Sequence, residues 1–318
     1  MAQQDSCKRI VRGSTPFSTK RYSSFSSGEF IVNANLSMIQ HHRADLDGLH
    51  MHFVEAGKGP AAVLLHGFPE TWYAWRYQIA PLAQRYRLIV PDLRGYGATD
   101  KPASGYDKRT MANDIRRLME HLGIEKATII GHDRGARVGT RFVKDHPEAV
   151  DRFAALDNIP TKVVFDSMNA AFAQFGWFFL FHSVPHLPQA LIQGREEMWL
   201  RYIFRNWTYN PEALSDADIA VYTQAYAQPG GLHGAFSDYS AWRQDLEQDH
   251  ADADKRLACP TLALWGAEFA GAKMMDMAKL WVDMASDLKV APIPLSGHLP
   301  HEEQPEQVTA ALLEFLQP

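Results

Sequence analysis

Between Ala127 and Gly139 an apolar run containing Thr128, Ile129 and Ile130 ends in Gly131-His132-Asp133-Arg134-Gly135, and a small-residue helical start follows. The spacing predicts a strand, a tight turn and a helix, with a carboxylate at the tip. In the pattern Gly-x-Ser-x-Gly, small residues let the strand and helix backbones approach closely around a strained central nucleophile. Asp133 stands where that serine would be. The exchange decides the chemistry. A serine attacking a saturated carbon would form an ether that water does not readily cleave, whereas a carboxylate forms an ester that water can hydrolyse. Asp133 therefore predicts displacement at an sp3 carbon bearing a halide or an epoxide oxygen, followed by hydrolysis of an aspartyl ester. Standing alone, the segment also reads as the acidic first turn of a helix, which the helix dipole favours.

Three further segments follow the order such a site requires. Ala61 to Leu65 is an apolar strand leading into His66-Gly67-Phe68-Pro69, a turn whose backbone N–H groups can face the elbow. The N–H of Phe68, with that of Arg134, would bind the oxyanion that develops on the Asp133 carboxyl carbon. Far downstream, Leu288 to Leu295 reads as a last strand, followed by Ser296-Gly297-His298. His298 is the candidate base that activates the hydrolytic water, and a carboxylate must hold its imidazole in the right tautomer. Two acids compete for that task. Asp157 ends the strand Phe153 to Leu156, and Glu268 lies just past the strand Thr261 to Trp265. Asp157 is preferred, although an Asp before Asn158-Ile159-Pro160 also serves as an ordinary turn cap.

Taken together, Gly131-His132-Asp133-Arg134-Gly135-Ala136-Arg137, His66-Gly67-Phe68-Pro69, Leu156-Asp157-Asn158-Ile159-Pro160-Thr161 and Gly297-His298 resemble the haloacetate (fluoroacetate) dehalogenases of the α/β-hydrolase superfamily. Soluble epoxide hydrolases are close relatives of that group. The resemblance covers residues 35 to 318 or so. It implies Asp133 as nucleophile, His298 as base, Asp157 as its partner, and Arg134 and Arg137 as receivers of a substrate carboxylate. The physics agrees with the last point, because an anionic substrate is repelled by an anionic nucleophile unless cations compensate. Epoxide hydrolases, with mostly neutral substrates, tend to carry an apolar or aromatic residue after the nucleophile.

The resemblance also implies a halide pocket made by a His-Trp pair and a Tyr. The Trp matches Trp177 in Phe175-Gly176-Trp177-Phe178-Phe179, and the Tyr matches Tyr239 in Ser237-Asp238-Tyr239-Ser240, but Gly176 occupies the position of the His. Fluoride depends most on strong hydrogen-bond donors, so its release is expected to suffer most. The space beside Gly176 can also admit a bulkier substrate, including an epoxide whose alkoxide Tyr239 protonates. Trp177 and Tyr239 also read as packing aromatics in a segment full of them.

These residues need a scaffold that brings distant segments to one edge. A chain of 318 residues holds one large core with a sizeable insertion, and strands alternating with helical stretches predict a mainly parallel sheet flanked by helices. The site then lies at the carboxyl ends of the strands. After a strand pair around Leu36 to Ala56, strands are expected near 61–66, 87–91, 127–131, 151–157, 260–266 and 288–295. Helices are expected near 73–84, 110–122, 135–146, 274–285 and 305–316. From 160 to 249 strand alternation disappears and aromatics crowd Phe172 to Trp207, which predicts a helical cap inserted into a core made of 29–159 and 250–318. Such a cap would exclude water from the displacement.

Composition narrows the partners to a small molecule. A net charge of −5 argues against nucleic acid and anionic membranes, and no uninterrupted apolar run approaches the ~18 residues of a membrane span. Cys7 and Cys259 are poorly placed for a disulfide, which suits an intracellular compartment. No metal-ligand spacing stands out, and the reaction needs no cofactor. A homodimer is compatible with all of this. Residues 1–28 differ from the rest, with five basic residues and seven serines against one acid, Asp5. They read either as a mitochondrial transit peptide or as a disordered basic tail on a cytoplasmic protein. A serine esterase is disfavoured because the chain has no Gly-x-Ser-x-Gly. A degenerate hydrolase fold that binds a small carboxylate without turnover is the non-enzymatic alternative.

Overall fold

The computed structural model describes residues 36–317, so expectations for residues 1–28 lie outside the described residues. Eight strands form one sheet: β1 (Gln40–Leu46), β2 (Leu49–Ala56), β3 (Ala61–Leu65), β4 (Arg87–Pro91), β5 (Ala127–His132), β6 (Val150–Leu156), β7 (Thr261–Gly266) and β8 (Leu288–Ile293). Their spatial order is β1-β2-β4-β3-β5-β6-β7-β8. The pairings of β2 with β1 and β4 are antiparallel, and every other pairing is parallel. The mostly parallel α/β-hydrolase sheet expected from the sequence is the one observed.

Parallel strands covered on both faces must be apolar on both, and the central ones are. Val63, Leu65, Ile129 and Phe153 enter one core layer with Ile115, Val138 and Trp281 from the helices Lys108–His121, Asp133–Asp145 and Met277–Met284. Their neighbours Leu64, Ile130 and Ala154 enter the other layer with Ile79 and Leu312, from Arg76–Ala83 and Pro305–Phe315. The two-residue period of a strand divides the sequence between these layers.

Several expected elements differ in extent: β1 begins only after a 3-10 turn at Leu36–Met38, and a 3-10 stretch, Trp72–Trp75, precedes the helix Arg76–Ala83. The last strand stops at Ile293 rather than 295, because the chain turns through a left-handed Leu295 with φ of 54°. The helix expected over 274–285 is two pieces, Ala270–Met274 and Met277–Met284. Asp276 separates them by accepting a hydrogen bond from the Lys279 N–H as the cap of the second.

Residues 161–251, all of them described, carry eight helices and no strand. They lie over the carboxyl ends of the strands. Phe178, Trp199, Trp207 and Tyr239 from this stretch share a core layer with Phe68 and Leu65. Among the described residues no helix is long and apolar enough to cross a membrane.

Candidate active site

The elbow forms because β5, buried along its whole length, runs without a linker into a helix whose first residue is Asp133. Asp133 sits at φ of 44°, a left-handed conformation that costs a non-glycine residue roughly 1–3 kcal/mol. Two glycines make the turn possible. A Cβ on Gly135 would stand 2.3 Å from the Leu65 carbonyl oxygen, and one on Gly131 would stand 2.7 Å from the Ala136 backbone. The strained turn aims the Asp133 carboxylate at the ends of β3 and β8.

Phe68, on the turn after β3, donates its backbone N–H to Asp133 Oδ2 at 3.2 Å. From the loop after β8, His298 places Nε2 at 3.9 Å from Asp133 Oδ1 and Nδ1 at 3.2 Å from Asp157 Oδ1. Asp157, at the end of β6 with φ of 43°, fixes its second oxygen by accepting the Gly266 N–H at 2.9 Å. Of the two acids weighed from the sequence, then, it is Asp157 that meets His298. Glu268 instead turns outward and accepts from Lys273 Nζ at 2.7 Å. Changing Asp157 to Asn is expected to lower kcat about ten-thousand-fold by freeing the wrong tautomer. Glu268→Gln should leave it within about twofold, and steady-state rates of the two variants check both.

Charge is concentrated here and largely balanced. Burial opposes charge on His298, but hydrogen bonds and attraction from Asp133 and Asp157 raise its pKa to about 10. Burial likewise works to raise the Asp133 carboxyl, yet His298, His132 and Arg137 hold it well below the ordinary carboxylate range. The resting site thus pairs an imidazolium with the Asp133 carboxylate. Behind it, His132 donates from Nε2 to the His298 carbonyl at 2.7 Å, since a carbonyl can only accept. Its Nδ1 meets Glu70 Oε2 at 2.8 Å, and the same oxygen accepts the Gly67 N–H at 2.7 Å. His301 Nε2 lies 3.1 Å from the other Glu70 oxygen. Glu70, His132 and His301 offer ligand atoms within 4.8 Å of one another, a cluster that sequence spacing hid because it is spread over three segments. Its polar atoms already face each other, and it ties three loops of the site together.

The two arginines of the elbow helix have different surroundings. Arg134 is paired with Asp238, to which Nε donates at 3.1 Å, and Nη2 donates to the Asp238 carbonyl at 2.7 Å. Its guanidinium also lies 4.5 Å above the Tyr239 ring. Arg137 donates from Nη1 to Thr161 Oγ1 at 3.1 Å, and its Nε is buried without a partner. Among the described residues five Lys and Arg side chains are buried. Arg76, Lys108, Arg134 and Arg141 each meet a carboxylate, and Arg137 does not.

A cavity of about 30 Å3 lies between Asp133, Asp157, His298 and Arg137 under a roof of aromatics that includes Phe178, Trp207 and Phe269. That is room for about two waters. Phe269 stacks on the His298 ring at 4.6 Å, Trp207 meets its edge at 5.1 Å, and the Trp207 carbonyl accepts the His298 N–H at 2.7 Å. None of these three aromatics was singled out from the sequence as a site residue. The aromatic crowding before Trp207 was the one available signal.

Of the expected leaving-group pair, Tyr239 is buried beside Phe68 at 4.8 Å between rings. Burial, then the neighbouring Asp133 charge, keeps its phenol protonated far above the ordinary range. Neither Tyr239 nor Trp177 lines the cavity, and Trp177 is 38% exposed and packs on Phe181 and Tyr202. The helix Trp177–His182 buries Phe178 and His182, which are four residues apart on one face, and Trp177 is turned about 100° away from them.

His182 was missed in the sequence. Its ring stacks on Phe236 at 4.9 Å and stands 4.9 Å from Tyr239, and both ring nitrogens are buried without a partner. Burial, then the charge of Arg134, lowers its pKa from 6.5 to about 3. The unfolded chain therefore binds a proton below pH 6.5 that the fold refuses until about pH 3, so stability falls as pH drops through this window. His182→Phe keeps the stacking and removes the unpaired nitrogens. It should stabilise the protein by about 1 kcal/mol at pH 7, with the gain widening towards pH 5, as denaturant melts at both pH values would show.

A family model described as alpha/beta hydrolase fold matches residues 60–305. The chain is 36% identical to the soluble epoxide hydrolase of Corynebacterium sp. (strain C12), over 88% of this chain and 98% of that one. It is 33% identical to the fluoroacetate dehalogenase of Burkholderia sp., over 86% and 92% of the two chains. Among solved structures, Cfl2 of Burkholderia cenocepacia superimposes with a TM-score of 0.82 at 36% identity, over 88% of this chain and 96% of that one.

Proposed function

The chain belongs to the α/β-hydrolase fold family, and within it we propose a hydrolase that displaces halide from a short 2-haloacid through an aspartyl ester. The observation that carries this reading is Arg137, a buried cation beside the nucleophile with no carboxylate of its own. The carboxylate beside it, Asp133, is shared with His298 and His132, so its charge is only partly compensated, and burying such a charge is costly. A site that keeps one is suited to a ligand that brings the opposite charge.

Asp133 Oδ1 attacks C2 of the haloacid from behind the halogen, the carbon–halogen bond breaks, and the halide leaves with its electron pair. Configuration at C2 inverts. Esterification removes the Asp133 charge that held His298 protonated, so the imidazolium releases its proton to solvent and the neutral ring becomes a base. Asp157 holds that imidazole by Nδ1. Water then attacks the carboxyl carbon of Asp133, passing its proton to His298, while the Phe68 and Arg134 N–H groups receive the oxyanion. Collapse breaks the bond between the Asp133 carboxyl carbon and the ester oxygen. The departing alkoxide takes the proton of the newly added hydroxyl, which releases the 2-hydroxyacid and regenerates the Asp133 carboxylate.

The epoxide route has its own support in Tyr239, whose phenol keeps its proton and can give it to an opening alkoxide. Trp177 on the surface and Gly176 leave few donors for a halide. Release of fluoride should therefore be the slowest, with bromide and chloride faster. The deciding experiment measures halide from fluoro-, chloro- and bromoacetate and from 2-chloropropionate, with an epoxide panel in parallel. Halide release whose KM rises at least about tenfold in Arg137→Leu supports the haloacid reading. Diol without halide moves the chain to epoxide hydrolysis.

A further inference from the structure

Arg137 lines a second cavity on its other side. This chamber, about 610 Å3, is bounded by the elbow helix, the loop after β6 and the helix Met277–Met284. Two buried polar groups in its wall have unused hydrogen-bonding capacity. They are Arg137 Nε and the side-chain amide of Asn158, whose Nδ2 and Oδ1 both lack partners. Asn158 is 2% exposed and Arg137 6%. A buried amide left unpaired costs about 1–3 kcal/mol, and two such neighbours in the wall of a roomy cavity are the mark of a seat for a polar ligand.

The sign of the charge names the ligand. Six basic and three acidic side chains line the chamber; Lys108, Lys144 and Lys162 are ion-paired with acids, and Arg137 is the buried base among the six that meets no carboxylate. Lys255 and Lys279, two of the six, stand exposed at its margin, so it is the buried Arg137 guanidinium that favours an anion. The volume is twenty times that of the cavity at Asp133 (610 against 30 Å3), so an organic acid too large to rest beside Asp133 fits here.

We propose that this chamber is a carboxylate-binding antechamber, in which Arg137 Nε and Asn158 Nδ2 donate to an organic carboxylate on its way to or from Asp133. The proposal rests on the reading that the substrate is a carboxylate. It adds an outer seat and gives Asn158 a role in filling it. Arg137 lines both cavities.

The test follows two side-chain signals of the full-length protein by 15N–1H NMR during titration with acetate, with acetamide as the neutral control. The Asn158 amide pair is identified by its loss in Asn158→Leu, or by direct assignment if that variant does not fold. The Trp207 indole reports the Asp133 cavity. Saturable movement of the Asn158 amide with acetate and not with acetamide is the expected result. In Asn158→Leu, KM for the carboxylate substrate should rise about tenfold at unchanged kcat, as the loss of one charge-assisted hydrogen bond predicts. Movement of the Trp207 indole alone, or of neither signal, overturns the antechamber even if halide is released. An Asn158 response without any turnover of haloacids would leave the antechamber standing and remove the dehalogenase reading.

Discussion

Asp133→Asn is expected to fold and to lose turnover by about a million-fold, the scale of removing a covalent nucleophile. The fold should survive because Asn tolerates the left-handed region better than most residues and keeps the shape that accepts the Phe68 N–H. The chemistry should not survive, because an amide oxygen does not displace a halide. The same variant tests the electrostatics of the site. With the Asp133 charge gone, His298 loses one of the two carboxylates that raise its pKa to about 10, so its titration, followed by NMR, should move down. Full turnover in this variant, measured as halide or diol, would dismiss the covalent mechanism.

His298→Gln should separate the two chemical steps. Displacement does not need a base, so one equivalent of leaving group is released. Hydrolysis does need one, so the ester persists and steady-state turnover falls by about a million-fold. Intact-protein mass spectrometry should then show Asp133 heavier by the alkyl group of the substrate. Isotope labelling gives an independent check. In a single turnover of the wild-type protein in 18O-water the new oxygen enters Asp133, because water attacks its carboxyl carbon, and the product carries the old carboxyl oxygen. An unmodified His298→Gln protein after incubation with every substrate tested would count against the ester.

Most of this site was readable in advance because its parts are backbone devices. A strand ending in small residues around Asp133, a Gly-Phe-Pro turn and a Gly-His after the last strand each announce themselves locally, and the parallel sheet brings them together. The choice between Asp157 and Glu268 was not local. Both end a strand, and only the pairing of β6 with β7 and the seat offered by the Gly266 N–H favour the first. The surroundings supplied by residues 161–251 were the least legible. There, side-chain direction is set by which face of a short helix is buried, so Trp177 lies at the surface while His182, five residues on and not singled out from the sequence, is buried beside Tyr239. The difference between Arg134 and Arg137 was equally hidden, since Asp238 lies 104 residues from Arg134.

That last contact governs how far the protein can be rebuilt from parts. Asp238 belongs to the helical stretch and holds two buried cations of the sheet domain, Arg134 and Lys108. A chimera that takes residues 161–251 from a relative must therefore bring an acid to this position. Without it, Arg134 would be stranded at a cost of about 3–5 kcal/mol, a large share of the ~5–15 kcal/mol that holds a typical domain folded, and Lys108 would have to rely on Asp245. Transplants that respect this lock can trade the aromatic roof while leaving Asp133 and His298 in place.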